Sequence, residues 1–399
     1  MTDGNVTDKI RLIGSEVLLD LRNNILPFWM NRVCDPADGF YGAVCNDGTP
    51  VNAEDRGSVL NARILWTFSS AYRLYGLESY RKIADRARQY FLSHFIDYEH
   101  GGVFWSVHPD GTVSNNIKQS YATAFGIYGI AEHYRATGDT KSLETAKMLF
   151  RTLQDKVHDN IRKGYYEVFE DDYSLTTTDG VDGVNGAVKT MNSHIHIMEA
   201  YTTLYRIWPD MEVRDALSEL VSILQNQLYS KETGQLVLYC NEDWKSLKSV
   251  ESFSHEIETS WLLTETADAL EIDSLSEQIR KQSIRMVDEA LDKGLRTDGA
   301  MRDWQDSSGY SERLSWWAQC ETIIGCVNAW QISGDVKYID TALKVWSYIK
   351  LHFIDYIHGD WFKNLNADGT PLAGDMKVSV WNCPYHSTRM GFELLNRLF

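Results

Sequence analysis

Basic residues are short in this 399-residue chain: 39 Lys and Arg stand against 56 Asp and Glu, for a formal net charge of −17. Such a field argues against nucleic acid or an anionic membrane surface as a partner. Proline is sparse, with seven residues and no low-complexity tract, so no linker is expected. No apolar run approaches a membrane span, and the opening M-T-D-G-N-V-T-D-K-I lacks the apolar core of a secretion signal. The six cysteines (Cys34, Cys45, Cys240, Cys320, Cys326, Cys383) form no Cys-x-x-Cys pair and read as reduced thiols, so a cytoplasmic protein is expected. The glycine fingerprints of nicotinamide and phosphate sites are missing too, and no cofactor is expected.

Aromatics are plentiful, with 13 Trp and 21 Tyr, and 43% of residues are hydrophobic, enough for a large core. Surplus aromatics serve packing, and they also line sugar-binding clefts.

The chain repeats itself. Gly39-Phe40-Tyr41 followed by Asn46-Asp47-Gly48-Thr49 is echoed by Gly102-Val103-Phe104 followed by Asp110-Gly111-Thr112. His94-Phe95-Ile96-Asp97-Tyr98 returns as His352-Phe353-Ile354-Asp355-Tyr356. Anchoring glycines at 39, 102, 164, 234, 299 and 359 are 63, 62, 70, 65 and 60 residues apart. Six copies at a near-constant period indicate a repeat architecture. Each copy reads as a helical hairpin. First helices with helical apolar spacing fall at 58–74, 117–136, 190–207, 253–270, 313–332 and 382–398. Five of these end in short turns such as Tyr75-Gly76 and Ser333-Gly334-Asp335. A more charged, amphipathic second helix follows, as in Lys141–Val157 and Lys337–Phe353. A helix over 7–28 lacks a preceding partner and the last helix lacks a following one. Pairing those two closes a ring of twelve. The expected fold is therefore all-α, an (α/α)6 barrel of six hairpins forming one catalytic domain over 1–399, with an open solenoid as the alternative.

Unusual polar residues gather at the starts of the inner helices: Arg63; Tyr121; Asn192, His194 and His196; His255 and Glu258; Trp316, Trp317 and Glu321; His386 and Arg389. Parallel inner helices would bring all six groups to one mouth, where convergent titratable groups and aromatics form a candidate site. Glu321 and Arg389 are expected among its substrate-binding groups. Arg63, in an apolar run, is either buried against a carboxylate or aimed at an anionic intermediate. Tyr121 is either packing or part of the site. His194 and His196, two apart, point to different sides of a helix, whereas Asn192 and His196 share a face. A polar cavity pair is expected there and no metal. One of the adjacent Trp316 and Trp317 is expected to line the cavity. Ser252 and Ser254 read as N-caps for the helix carrying His255, and Pro384 as the first residue of the helix carrying His386. A helix N-terminus disfavours imidazolium and keeps both rings neutral as bases.

The motifs M-N-x-H-x-H, S-F-x-H-E-I-E-x-S-W, W-W-x-Q-x-E and W-x-C-P-Y-H-x-x-R, in this order and spacing, resemble the cellobiose 2-epimerases of the N-acylglucosamine 2-epimerase superfamily. The likeness runs from residue 39 to the C-terminus. It implies an (α/α)6 barrel, in agreement with the repeat count. It further implies that His255 and His386 are the acid/base pair, that Arg63 and His196 contact the reacting end, and that Glu258 orients a base. Tyr121, Asn192, Trp316, Trp317 and Trp381 match further cavity positions. Trp304, in R-D-W-Q, matches a loop aromatic that stacks on the distal sugar.

The chemistry agrees. Only the open aldehyde makes the C2 proton of an aldose acidic. A base removes that proton, a fixed cation such as Arg63 stabilises the enediolate, and a second acid/base returns the proton to the other face. The expected substrate is a β-1,4-linked disaccharide such as cellobiose or mannobiose, and the expected state a monomer or weak homodimer. N-acetylglucosamine 2-epimerisation and aldose–ketose isomerisation are rivals that use the same histidines. An inverting glycoside hydrolase would need two carboxylates roughly 6.5–9.5 Å apart across the cleft. A non-catalytic sugar-binding barrel would need only the aromatics.

Overall fold

A computed structural model describes residues 3–176 and 182–399. Helix α1 (Asp3–Asp20) passes through a π-helical turn, Leu21–Ile25, into α2 (Leu26–Arg32), and together they act as one outer helix. The remaining helices are α3 (Ser58–Tyr75), α4 (Glu78–His94), α5 (Ser120–Thr137), α6 (Thr140–Thr152), α7 (Met191–Ile207), α8 (Met211–Asn226), α9 (Phe253–Leu270), α10 (Asp273–Gly294), α11 (Trp316–Ser333), α12 (Lys337–His352) and α13 (Tyr385–Leu398). With α1 and α2 taken as one, the described residues form the expected twelve.

The inner ring is α3, α5, α7, α9, α11 and α13, each packed on the next, and α13 returns to α3. That return excludes the open solenoid. Inner helices are buried on nearly every face. In α3 every residue from Ser58 to Ala71 is buried, as a helix enclosed on all sides requires. Outer helices bury a stripe. In α4 this is Tyr80, Ala84, Ala87, Tyr90 and Phe91, and the opposite face is charged. At the α3–α5 crossing a Cβ on Gly129 would come within 2.6 Å of the Ala62 carbonyl oxygen, so only glycine allows that approach.

Hairpin turns close one end of the barrel, with Gly76, Gly138 and Gly334 as left-handed C-caps. The long loops at the other end carry short antiparallel strands that stitch neighbouring repeats together. Arg56–Gly57, Phe104–Val107, Val113–Gln119 and Val168–Phe169 form one sheet, and Arg313–Ser315 pairs with Asn364–Asn366. Several of these strands run directly into inner helices. Residues 117–119 and 313–315, expected as first helical turns, are strand for this reason.

A repeated buried ion pair anchors these entries. Asp97 accepts the N–H groups of Glu99 (2.8 Å) and His100 (3.0 Å), and takes Lys118 Nζ at 2.6 Å. Asp159 does the same with Ile161, Arg162 and Lys189, and Asp355 with Ile357, His358 and Lys377. Lys118 and Lys189 each stand three residues before a mouth residue, Tyr121 and Asn192. The Asp that ends one repeat thus holds the start of the next inner helix.

Candidate active site

The six helix starts surround a cavity of about 270 Å³ lined by Arg63, Tyr121, Asn192, His196, His255, Glu258, Arg313, Trp316, Trp317, Asn364, Trp381, Asn382 and His386. A second lobe of about 350 Å³ shares Tyr121, Asn192, His255 and Trp381 and extends toward Glu167, Asp182 and Tyr239. Ten residues expected at the site therefore meet at one mouth. Three do not line this cavity: Glu321 and Arg389 lie beneath its floor, and Trp304 is half-buried in a neighbouring loop.

Trp317 stands between the two histidines, its ring centroid 4.8 Å from that of His255 and 5.5 Å from that of His386. Both tryptophans line the cavity, as the resemblance implies, where helical geometry alone led to one. They are the first two residues of α11, and the cavity wraps around the helix end instead of touching one face. Burial pushes His255 down to about 3, with the neighbouring His196 acting in the same direction. It pushes His386 well below the ordinary range, assisted by the positive charges of Arg389 and Arg63. Desolvation is the leading cause of neutrality in both rings.

Each ring nitrogen on the protein side has a partner. His386 Nδ1 lies 2.8 Å from Glu321 Oε1, His196 Nδ1 lies 3.0 Å from Glu199 Oε2, and His255 Nδ1 lies 2.7 Å from Ser252 Oγ. Ser252 holds the N-cap position without capping. Pro384 is likewise the N-cap residue of α13 and not its first residue, and His386 remains in the first turn.

Arg63 is buried and, among the described residues, has no carboxylate partner. It donates to Tyr121 Oη at 2.8 Å and to Cys383 Sγ at 3.4 Å, while its Nε has no partner. Its guanidinium lies 4.2 Å from the Phe125 ring centroid. Of the two readings of Arg63, burial against a carboxylate is therefore excluded, and a cation stands available to the cavity.

Arg389 takes the opposite course. It is fully buried and bonded to Glu199, to Glu258 and, at 2.7 Å, to Glu321. Both Glu321 oxygens are occupied, Oε2 by Trp261 Nε1 at 2.9 Å. Neither residue can touch a substrate, which corrects the expectation that they bind one; their side chains leave the helices on the core side of the cavity floor. Glu258 lines the cavity but bonds Arg389 and no histidine, so the carboxylates that orient rings are Glu321 and Glu199. Ligand atoms of Glu258, Glu321 and His386 lie within 4.8 Å of one another, as a metal site would require. The Arg389 guanidinium already supplies the positive charge between those carboxylates. His194 faces away from the cavity. Its Nε2 accepts the Tyr165 N–H at 3.0 Å and its Nδ1 bonds the Thr190 carbonyl at 2.6 Å.

Sequence reasoning missed Glu199, although its spacing from His196 places both on one helix face. It also missed Arg313, Asn364 and Asn382. These reach the cavity from strands and loops, where no periodicity marks them.

The model of the family described as N-acylglucosamine 2-epimerase (GlcNAc 2-epimerase) matches residues 39–388. The chain belongs to this family. It is thereby an enzyme of the sugar-epimerising class. The cellobiose 2-epimerase of Bacteroides fragilis is 38% identical over 393 residues, covering 96% of this chain and 99% of that one. The cellobiose 2-epimerase of Ruminococcus albus is 32% identical, covering 96% and 98%. The solved cellobiose 2-epimerase of Spirochaeta thermophila superposes with a TM-score of 0.92 at 35% identity, covering 98% and 97%. Full-length likeness of this kind fits a family barrel without large insertions. Among the described residues no helix is long and apolar enough to cross a membrane.

Proposed function

We propose that the chain, acting as one catalytic domain, inverts C2 of the reducing-end sugar of a β-1,4-linked disaccharide such as cellobiose or mannobiose. The observation that carries this reading is a buried guanidinium, Arg63, without a carboxylate partner among the described residues, in the same cavity as two neutral histidines, His255 and His386. The sugar opens to its aldehyde. One histidine takes the C2 proton on Nε2 while Arg63 and Tyr121 hold the enediolate oxygens. The other histidine takes up a proton from solvent on Nε2 once the enediolate charge is beside it, and delivers that proton to the opposite face. The first ring then returns its proton to solvent. A histidine as weakly basic as His255 gains basicity as the enediolate places negative charge beside the ring. His196, held by Glu199, and Asn192 on the same face of α7 are available to the sugar hydroxyls. Trp304 holds the non-reducing sugar in this reading.

Full-length similarity to cellobiose 2-epimerases favours a disaccharide over the monosaccharide rivals. An inverting hydrolase fits less well, because among the described residues Glu258 is the one carboxylate lining the histidine lobe and it is paired with Arg389. The test is incubation with cellobiose and with mannobiose in deuterated water, followed by NMR of the products. Interconversion of glucose and mannose at the reducing end with deuterium at C2 is expected. Free monosaccharides, or a ketose as the main product, would overturn the reading.

A further inference from the structure

Helix α9 opens with two serines that look like caps, and Ser252 declines the part. Its hydroxyl turns to His255 Nδ1 at 2.7 Å. Ser254 Oγ lies 3.5 Å from Ser252 Oγ and 3.1 Å from the backbone carbonyl of Asp303. Both serines are buried, so the three contacts form an internal chain.

The chemistry of the last link limits the others. A carbonyl only accepts, so the single hydroxyl hydrogen of Ser254 goes to Asp303. Ser254 can then only accept, and at 3.5 Å it offers the hydrogen of Ser252 a place to go. A base acting through Nε2 needs the ring hydrogen on Nδ1, and Ser252 then accepts it at 2.7 Å while turning its own hydrogen toward Ser254. A neutral imidazole has one N–H, so Nε2 keeps a free lone pair. No described residue bonds Nε2, and it is the nitrogen left for the cavity.

We propose that Ser252 and Ser254 are positioning residues that fix the tautomer of His255, with the Asp303 carbonyl as the anchor, so that Nε2 faces the opened sugar as an acceptor. This rests on the reading of His255 as an acid/base group. His386 reaches the same tautomer by another device, the Glu321 carboxylate. The two bases thus differ in what stands behind them, a neutral relay for one and an anion for the other.

The test uses the full chain carrying ¹⁵N-histidine, with two-bond ¹⁵N–¹H correlation NMR reporting the tautomer of each ring. The His255 signal is assigned by its loss in His255→Asn. Wild type is expected to give the Nδ1–H pattern. Ser252→Ala and Ser254→Ala should move it toward Nε2–H, and Ser252→Thr should retain it. Turnover of cellobiose should fall about tenfold in Ser252→Ala, the worth of one buried hydrogen bond, with KM within about twofold, and Ser252→Thr should recover it. An Nε2–H pattern in wild type overturns the proposal even if every variant unfolds, and so does an Nδ1–H pattern unmoved by both alanine variants. A wild type with the expected tautomer that leaves cellobiose unchanged would instead sink the functional reading and leave the tautomer assignment standing.

Discussion

Glu321 and His386 form a buried pair, Oε1 to Nδ1 at 2.8 Å, and the same oxygen also accepts Arg389 Nη2 at 2.7 Å. His386 is thus backed by a carboxylate that is itself held in place. Glu321→Gln keeps the shape and removes the charge that steadies an imidazolium. It should lower turnover by roughly 10–100-fold with little change in KM, by analogy with other carboxylates that orient histidines. Equal turnover in wild type and variant would show the pair to be structural.

Arg63 carries the developing negative charge in the proposed reaction. Arg63→Lys keeps a cation but loses the planar fork that reaches Tyr121. It should cost roughly 10²–10³-fold in turnover, the scale of losing one oxyanion donor. Steady-state kinetics on cellobiose check this, and a change confined to KM would contradict it.

His255 and His386 should be unequal by direction. His255→Asn and His386→Asn should each lose roughly 10²–10⁴-fold in net epimerisation. The surviving histidine should still wash the C2 proton of one epimer into deuterated water. Each variant would be given glucose-ended and mannose-ended disaccharide. Near wild-type interconversion by either variant would rule out two bases and direct attention to His196.

Trp304 is half-buried and its backbone carbonyl accepts the Ser311 N–H at 2.9 Å, outside the cavity that holds the histidines. A distal-sugar role predicts that Trp304→Ala raises KM for disaccharide more than it alters turnover. An unchanged KM would move the distal subsite elsewhere, with the lobe lined by Glu167, Asp182 and Tyr239 the next place to test.

His194 predicts a pH dependence of stability. Burial lowers its pKa to about 4, and both ring nitrogens are satisfied by backbone in the neutral form. An unfolded histidine titrates near about 6.5, so between those values the unfolded chain binds the extra proton. The contribution is complete above about 6.5 and is lost as pH falls toward about 4. In His194→Asn the slope of unfolding free energy against pH, measured with urea between about pH 6 and 4.5, should shrink by about 1 kcal/mol per unit. An unchanged slope would mean that this ring is not the group titrating.

The sequence by itself determined the helical hairpins, their number and the end of the barrel where chemistry gathers. Those properties are periodic: apolar spacing along each helix, a glycine at each turn, and a loop motif every sixty-odd residues survive in one dimension. It also marked most of the cavity, because Arg63, Tyr121, Asn192, His255, Trp316 and His386 fall within the first turn or two of the inner helices. Only the tertiary structure decided which polar side chains face the cavity and which lie under it. Arg389 and Glu321 look as exposed to substrate on paper as His386 does, and a rotation of less than one turn sends them into the core. It also decided that Arg63 has no counter-ion among the described residues, and that Ser252 serves a histidine instead of a helix end. Those outcomes depend on where six separate helices bring their side chains, and on which donors find acceptors across more than a hundred residues of chain, as Arg389 does with Glu199 and Glu258.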